Sequence, residues 1–286
     1  MPGLLSMVGT PIGNLSDASP RVCATLQAAD VVCCEDTRMT GKLLQLLGVE
    51  APALLRCDAH VIERRVPELL ERVRAGERVA FVSDAGMPGI SDPGQRLVDA
   101  ALDDGLPVEV VPGPSAVLCA LVASGLPSEH FFFEGFLPRK PGQIRARLQE
   151  LAGVPGSLLF YESPRRVAAT LALVAEAYPA RRVALVRELT KLHEETLRAP
   201  APELAQLVAE RDGQGLVKGE CVIVVAPPAA GEEPSAAAGL EPLEDALHAA
   251  IASGEPASAA AKRLARLYHL KKGDVYQQLL DLREDA

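Results

Sequence analysis

Short apolar runs alternate with helical patterns along most of the chain, and this alternation constrains the fold more than any other feature. Eight runs rich in Val, Leu and Phe predict strands at residues 4–8, 30–34, 78–83, 107–111, 130–135, 156–161, 182–187 and 220–226. Helical patterns such as residues 20–29 and 66–75 lie between them. Strands that alternate with helices are typical of α/β proteins with largely parallel sheets.

The chain has 286 residues, enough for two packed domains and a small appendage. A Gly-Leu-Pro segment at 125–127 interrupts a helical pattern before an aromatic strand, which predicts domains at 1–124 and 125–227. Residues 228–240 are rich in Ala, Pro, Gly, Ser and Glu and predict a flexible linker. Three helical stretches then predict a compact tail at 241–286, similar to a helix-turn-helix module.

Composition narrows the protein class further. The net charge of −9 argues against a generally basic nucleic-acid coat, although a local binding face can still be basic. The six cysteines form no C-x-x-C pair, which favours free thiols in a reducing compartment and no metal site. No apolar run reaches the ~18 residues of a membrane span, and the first residues lack a secretion-signal pattern. We therefore expect a cytoplasmic protein that does not bind a membrane.

Polar segments follow three of the predicted strands, where α/β proteins commonly bind ligands. They are Gly-Thr-Pro-Ile-Gly-Asn at 9–14, Cys-Glu-Asp-Thr-Arg at 34–38, and Ser-Asp-Ala-Gly-Met-Pro-Gly-Ile-Ser-Asp-Pro-Gly at 83–94. The third segment has carboxylates and prolines that cannot donate hydrogen bonds, so it suits a cation better than a phosphate. The chain contains neither a G-x-G-x-x-G fingerprint nor a phosphate-binding loop.

Together these segments resemble the bacterial 16S ribosomal RNA cytidine 2′-O-methyltransferases, a branch of the tetrapyrrole-methylase (class III) S-adenosylmethionine (SAM) enzymes. The resemblance covers roughly residues 4–226. It implies an α/β fold of two αβα domains of the tetrapyrrole-methylase type with the ligand cleft between them, and a small C-terminal helical module. It also implies SAM as methyl donor, a homodimer, and 16S rRNA of the small ribosomal subunit as substrate, modified in the decoding region.

The resemblance assigns donor contacts to residues in five loops. These residues are Pro11, Asp84, Ala85, Gly86, Ile90, Ser115, Ala116, Glu162 and Leu189. For the segments at 9–14 and 83–94 a purely structural turn is the alternative, and Ser115 is also well placed to cap the helix that follows. For the segment that contains Leu189 the alternative is a surface salt bridge between Arg187 and Glu188.

The second segment supplies the candidate catalytic groups. A carboxylate near a ribose 2′-hydroxyl serves as a general base. By resemblance Glu35 occupies the place of such a base, and Asp36 with Arg38 would orient the ribose or phosphate; Asn14 is a further candidate. The alternative is that Asp36 caps the next helix and Arg38 pairs with it, which would leave neither a catalytic role.

Two departures from the family pattern affect individual residues. The family usually has His-Glu-His-Asn where this chain has Asp-Ala-His-Val at 58–61, so the role of His60 stays open. Met87 stands where the family usually has Thr, which removes a hydroxyl near the donor and is expected to tune its binding.

Two basic segments predict contacts with RNA phosphates. Residues 136–147 carry four cations and no acid, among them Arg139, Lys140 and Arg145. A second cluster in the tail contains Lys262, Arg263 and Arg266. Solvated charged faces, or a dimer contact in the tail, are the alternatives.

Two other functions fit the same residues. The first keeps SAM and changes the acceptor to a tetrapyrrole or another small molecule, which gives the cationic tail no use. The second is a ribosome-assembly RNA-binding protein that retains a relic donor pocket.

Overall fold

The structure is a computed structural model that describes residues 3–50, 53–229, 243–253, 255–268 and 271–284. Within these residues the chain forms two five-stranded sheets and eleven α-helices. The fold class expected from the sequence is confirmed, since helices and strands alternate through both sheets.

The first sheet contains five parallel strands in the order β3-β2-β4-β1-β5. They are β1 (Leu4–Val8), β2 (Val31–Cys34), β3 (Ala53–Arg56), β4 (Arg78–Val82) and β5 (Val108–Val111). The helices are α1 (Pro20–Gln27), α2 (Thr37–Leu46), α3 (Ile62–Arg74), α4 (Gly94–Asp103) and α5 (Ala116–Ser124). Because parallel strands all end at one edge of a sheet, the loops after β2, β4, β1 and β5 are neighbours there.

Alternating side chains of the first sheet fill two apolar cores, as expected when helices cover both faces. On β4, Phe81 packs in a cluster with Leu69 of α3 and Leu97 of α4. The next residue, Val82, packs in the cluster of Leu26 of α1 and Leu44 of α2. The first sheet is therefore the middle of three layers.

The second sheet has the strand order β6-β7-β10-β8-β9. Its strands are β6 (Phe131–Phe136), β7 (Ser157–Glu162), β8 (Arg182–Arg187), β9 (Glu195–Pro200) and β10 (Cys221–Val225). Its helices are α6 (Pro141–Leu151), α7 (Val167–Ala177) and α8 (Ala201–Gly213). Only β6 and β7 pair in parallel; β10 is antiparallel to β7 and β8, and β8 is antiparallel to β9. The expectation of largely parallel sheets is therefore wrong for this sheet.

Helix α5 joins the two sheets through its apolar side chains. Val117 and Leu121 of α5 belong to one buried cluster with Leu159 of β7 and Val224 of β10. The helix ends at Ser124, and Gly125 follows with a φ of 59°, where the sequence predicts a domain boundary. Both sheets nevertheless belong to one compact unit, so the division at 124/125 stays a prediction.

All eight predicted strands are present with ends within one residue of the prediction, whereas β3 and β9 were missed. Both missed strands are sheet edges with several exposed or half-buried residues. An edge strand pairs on one side only, so its sequence carries a weaker apolar pattern. The predicted helix at 66–75 begins earlier, at Ile62.

The C-terminal part of the chain forms a second compact unit, together with Leu148–Gly153. Its helices are α9 (Leu243–Ala252), α10 (Ala257–Leu267) and α11 (Lys272–Glu284), which confirms the three predicted stretches. Leu247, Leu264 and Leu279 form its core. Most of the predicted linker at 228–240 lies outside the described residues. No described helix has the length and apolarity needed to cross a membrane.

Candidate active site

A cavity of about 400 Å³ lies where the carboxyl edge of the first sheet meets the second sheet. One wall comes from the loops after β1, β2, β4 and β5. It comprises Ile12, Glu35, residues 83–87 and 90–92, Ser115 and Ala116. The other wall comes from the ends of β6 and β7 and the beginning of β10, which lies opposite the end of β7 because these strands are antiparallel. It comprises Phe136, Tyr161, Glu162 and residues 220–222.

Eight of the residues predicted to form the site line this cavity. They are Glu35, Asp84, Ala85, Gly86, Ile90, Ser115, Ala116 and Glu162. Pro11, Asn14, Asp36, Arg38 and Leu189 are not among its lining residues. Leu189 is buried in the apolar cluster that contains Ile12, because two residues with positive φ, Glu188 and Thr190, flank it and turn the chain there.

A backbone bridge connects the first and third sequence segments. The Thr10 N–H donates to the Gly86 carbonyl at 2.9 Å, and the Gly86 N–H donates to the Thr10 carbonyl at 3.1 Å. Gly86 has a φ of 82°, and a Cβ there would lie 3.3 Å from Ile12 Cγ2. A glycine is therefore required for both the turn and the space beside Ile12.

The loop after β4 is shaped by its own second carboxylate. Asp92 accepts hydrogen bonds from the backbone N–H groups of Gly89, Ile90 and Gly94 at 2.8–3.2 Å. Met87 contributes in another way, since its Sδ accepts the Gly113 N–H at 3.2 Å. Asp92 thus fixes the loop internally and Met87 connects it to the turn after β5, and the polar atoms of both are already engaged.

Glu35, Asp84 and Asp92 are the cavity carboxylates that no described cation pairs with, and Asp92 is already engaged by backbone N–H groups, which leaves Glu35 and Asp84. Burial raises the pKa of the Glu35 carboxyl, and the carboxylates of Asp92 and Asp84 raise it further. Asp84 Oδ1 accepts the Asp36 N–H at 3.2 Å. Glu35 therefore holds a proton more readily than an ordinary glutamate, which is the property of a stronger base.

Asp36 and Arg38 adopt the helix-capping arrangement that the sequence left open. Asp36 is the N-cap of α2, and its Oδ1 accepts the Arg38 N–H at 2.9 Å. The Arg38 guanidinium donates to both carboxylate oxygens of Asp36, at 3.1 and 2.7 Å. These bonds hold the pKa of Asp36 well below its usual range. Both residues therefore make the contacts expected of a helix cap, and their role in orienting the ribose or phosphate stays a prediction.

Asn14 and His60 also make local contacts. Asn14 Oδ1 accepts the Ser16 N–H at 3.0 Å, and its own N–H donates to Thr190 Oγ1 at 3.0 Å. Asp58 Oδ1 accepts the backbone N–H of His60 at 2.9 Å, and the His60 side chain is exposed outside the cavity lining. Neither side chain is placed beside Glu35 in the cavity.

Ser115 differs from its predicted capping role. It occupies the N-cap position of α5, yet its side chain makes no capping hydrogen bond. Its backbone has a φ of −130° and a ψ of 114°, and the residue lines the cavity instead. The hydroxyl is therefore available to a ligand.

Glu162 is buried and fully engaged by the protein. Only 3% of the residue is exposed. Its carboxylate accepts from the Ser163 N–H at 2.8 Å and the Thr170 hydroxyl at 2.7 Å, and lies 3.2 Å from the Arg166 guanidinium. Arg166 in turn donates to the Leu137 and Pro138 carbonyls at 3.1 and 2.7 Å. Glu162 thus fixes the chain that follows β6.

The second acid of this wall, Glu220, is also neutralised. Glu220 accepts from Lys191 Nζ at 2.9 Å, and the same ammonium lies 3.0 Å from Glu188. Hydrogen bonds from Lys191 and from the Glu220 N–H lower the pKa of Glu188, against the effect of burial. Three of the five acids that line the cavity, Asp92, Glu162 and Glu220, are therefore satisfied by neighbouring groups.

The predicted RNA-binding residues divide into exposed and paired cations. Arg139, Lys140 and Lys262 are exposed. Arg145 is bound by both carboxylate oxygens of Glu176 at 2.9 and 3.0 Å, and Arg263 pairs with Glu255. The Arg266 side chain lies outside the described residues. Arg145 and Arg263 are therefore weaker candidates than the sequence indicates.

Sequence reasoning missed most of the wall that the second sheet forms. Phe136, Tyr161, Glu220 and Cys221 line the cavity and were not predicted. Each stands at the end of a predicted strand, so strand ends were the available signal. Glu220 and Cys221 were missed because β10 is antiparallel to β7. If β10 were parallel to β7, its beginning would lie at the opposite edge of the sheet, away from the cavity.

Comparison with known proteins places this fold and cavity in a family. Residues 4–205 match the model of the Tetrapyrrole (Corrin/Porphyrin) Methylases. Solved structures with the same fold include the methyltransferase CobJ (TM-score 0.57, 21% identity, covering 79% of this chain and 94% of that one). A uroporphyrin-III-C-methyltransferase from Thermus thermophilus also matches (TM-score 0.53, 21% identity, covering 78% and 94%).

Curated relatives match over a greater length and at higher identity. The protein named ribosomal RNA small subunit methyltransferase I in Mesorhizobium japonicum is 43% identical over 99% of this chain and 93% of its own length. The protein of the same name in Synechocystis is 40% identical over 99% and 100%. In Xylella fastidiosa the identity is 48% over 78% and 81%. The chain belongs to the tetrapyrrole methylases and, within them, to the family of these small subunit methyltransferase I proteins.

Proposed function

We propose that this protein transfers a methyl group from SAM to the ribose 2′-hydroxyl of a cytidine in 16S rRNA. The observation that carries the proposal is the pair of cavity carboxylates, Glu35 and Asp84, that no described cation neutralises. They stand at the ends of adjacent strands, where one wall of the cavity is formed largely by loop backbone. Relatives over nearly the full length that are named small subunit methyltransferases support rRNA as the acceptor.

The cavity suits a sulfonium donor. SAM supplies an electrophilic methyl group on a positively charged sulfur, and unpaired carboxylates attract such a cation. Residues 84–86 and 90 would hold it from the loop after β4, and Ser115 and Ala116 from the start of α5. The uncapped Ser115 hydroxyl and the bare backbone at Gly86 fit a ligand that approaches closely. A volume of about 400 Å³ is within the usual range for ligands of this size.

In this proposal Glu35 would act as the general base. Glu35 would accept the proton of the 2′-hydroxyl, and SAM, when bound, would supply the methyl group to that oxygen and leave as the neutral thioether. The raised pKa of Glu35 makes this proton transfer more favourable than to an ordinary carboxylate. A positioned base of this kind contributes roughly 10²- to 10⁴-fold to a rate. The rest of the acceleration comes from holding donor and acceptor in line.

The expected partners follow from the same proposal. Arg139 and Lys140 would contact RNA phosphates, and the tail would add Lys262 as a further contact. The homodimer that the family resemblance implies is part of the proposal as well. Removing residues 228–286 distinguishes acceptor classes, since activity should fall on a large RNA and survive on a small tetrapyrrole.

The test is transfer of labelled methyl from SAM to small ribosomal subunits from cells deleted for this gene, followed by nucleoside mass spectrometry. We expect a ribose-methylated cytidine. A methylated base would refute the 2′-O assignment. If no labelled methyl is incorporated although the protein binds SAM in a separate experiment, the result would favour a tetrapyrrole or another small molecule as the acceptor. Full complementation of a deletion strain by Glu35→Ala would favour a non-catalytic RNA-binding role.

A further inference from the structure

Phe136, the last residue of β6, lines the cavity and is nevertheless 60% exposed. Its ring centroid lies 5.6 Å from that of Tyr161, which also contacts Phe133 at 4.8 Å. The inner edge of the Phe136 ring is thus supported by other aromatic rings. The rest of its surface borders both the cavity and solvent, which leaves an aromatic ring free to contact a ligand.

A β-bulge sets the direction of this ring. The register of β6 against β7 shifts between Phe133 and Gly135, so that Phe133 lies opposite Leu159 and Phe136 lies opposite Tyr161. In a regular strand without the bulge, the three-residue step from Phe133 would place Phe136 on the other face of the sheet. The bulged residue Glu134 is held by two hydrogen bonds of 2.7 Å from Arg147.

The chain immediately after Phe136 is fixed and carries positive charge. Arg166, itself paired with buried Glu162, donates to the carbonyls of Leu137 and Pro138. Arg139 and Lys140 follow and are exposed, and no described acidic side chain pairs with either. An aromatic ring and two available cations are therefore presented within five consecutive residues at one side of the cavity.

The distribution of charge around the cavity separates the region where an RNA base can lie from the region where its phosphates can lie. Glu35 and Asp84 repel phosphate from the cavity interior, whereas Arg139 and Lys140 attract it to the outside. A ribose that reaches the cavity must bring its uncharged base along. Proteins hold such unpaired bases by stacking them on aromatic side chains while cations bind the backbone.

We propose that Phe136 stacks on the base of the acceptor nucleotide while Arg139 and Lys140 bind the adjacent phosphates. This inference rests on the proposed function, because it needs RNA as acceptor. Residues 84–86, 90, 115 and 116, which we propose to hold SAM, lie on the opposite wall, and Glu162 beside Phe136 is engaged by protein groups, so the ring of Phe136 is left for the acceptor. Stacking does not depend strongly on base identity, so Phe136 is a positioning residue rather than the source of cytidine specificity.

The absence of tryptophan from the chain allows a direct test. Phe136→Trp introduces a single indole, whose fluorescence is quenched when a base stacks on it. We expect quenching when small subunits that lack the modification are added, and none with SAM alone. Phe131→Trp is the matched control, since Phe131 begins the same strand, is 45% exposed and does not line the cavity.

Kinetics provide the second readout. Phe136→Ala should raise the KM for small subunits by about 10- to 100-fold, as expected when one base stack is lost, and leave the Kd for SAM unchanged. Phe136→Tyr should behave like the parent protein. Unchanged SAM binding also shows that the variant is folded, and Phe136→Leu repeats the test with a smaller change in volume.

Three results would overturn the inference while the proposed function stands, and a fourth would overturn both. Quenching of Phe136→Trp by SAM alone would assign the ring to the donor. Equal quenching at positions 131 and 136 would show contact without stacking at the cavity. If the parent enzyme methylates small subunits and Phe136→Ala leaves their KM unchanged, the stacking role of Phe136 is refuted but the proposed function is not. A parent protein that methylates no rRNA would refute the proposed function, and this inference with it.

Discussion

The two walls of the cavity are built from different chemistry. The first sheet presents backbone, a hydroxyl and the carboxylates of Glu35 and Asp84, which no described cation pairs with. The second sheet presents aromatic rings and acids that are already satisfied, Glu162 by Arg166 and Glu220 by Lys191. The first wall thus keeps two carboxylates for a ligand while Asp92 fixes its own loop, whereas the second wall uses both of its acids to fix its own shape. Lining a cavity therefore does not by itself make a side chain a ligand-binding group.

Replacing Glu35 should produce the largest effect, because it removes the proposed base from the first wall. We expect Glu35→Gln to lower kcat for methyl transfer by roughly 10²- to 10⁴-fold, with the Kd for SAM changed much less. Single-turnover transfer and calorimetric SAM binding measure the two quantities. Asp36→Asn is the neighbouring control, since Asn also caps helices well and should retain most activity. Equal losses in both variants would reject the assignment of the base to Glu35.

The raised pKa of Glu35 also predicts a pH dependence. The base acts when deprotonated, so kcat should fall as pH drops through a value above that of an ordinary glutamate, and Glu35→Gln should lack this limb. The free energy of unfolding depends on pH in the opposite direction to kcat. Between the unfolded and folded pKa values the folded state binds more protons, so stability falls as pH rises through that window. The Tm of Glu35→Gln should therefore be higher than that of the parent at pH 7, and the difference should shrink as the pH is lowered.

Glu162 tests the second wall, where the side chain is expected to matter for stability. Glu162→Ala leaves Arg166 and Thr170 without their buried partner and should cost about 3 kcal/mol in the free energy of unfolding. Chemical denaturation measures it. Glu176→Ala, which breaks the exposed pair with Arg145, is the control and should have no measurable effect. A stable Glu162→Ala protein that binds SAM weakly would instead make Glu162 a ligand of the donor.

Gly86→Ala tests whether the first wall needs bare backbone. The positive φ should cost about 1–2 kcal/mol in stability, and the new Cβ crowds Ile12 and the Pro114 carbonyl. We expect the Kd for SAM to rise by about tenfold, a change of about 1.4 kcal/mol. Gly105→Ala separates the two causes, because Gly105 also has a positive φ but has nothing within 4 Å of its Cβ position. An unchanged SAM affinity in Gly86→Ala would contradict the role of this turn.

The smallest expected effect distinguishes the free from the paired cations. Lys140→Gln should weaken binding to rRNA at low salt and reduce the slope of log K against log salt by about 0.7, the value for one phosphate contact on a single strand. Arg145→Gln should leave the slope unchanged, because Glu176 already binds that guanidinium. Equal changes in both would show that Arg145 leaves Glu176 for the RNA.

Most of the first wall was predictable, and most of the second was not. Glu35, Asp84 and Gly86 follow strongly apolar strands of a parallel sheet, where strand ends converge whatever the details of packing. Glu220 lines the cavity only because β10 runs antiparallel, a property of pairing partners that local sequence does not encode. Asp36 shows a different limit, since an acid beside an arginine after a strand fits a catalytic group and a helix cap equally well.

The unpaired charge of Glu35 and Asp84 also bears on turnover. Under the proposed reaction the donor enters as a sulfonium cation and the product leaves as a neutral thioether. The attraction that draws the donor into the cavity therefore disappears in the step that consumes it. The same two carboxylates would favour exchange of spent cofactor for fresh SAM and limit inhibition by product, without any movement of the chain.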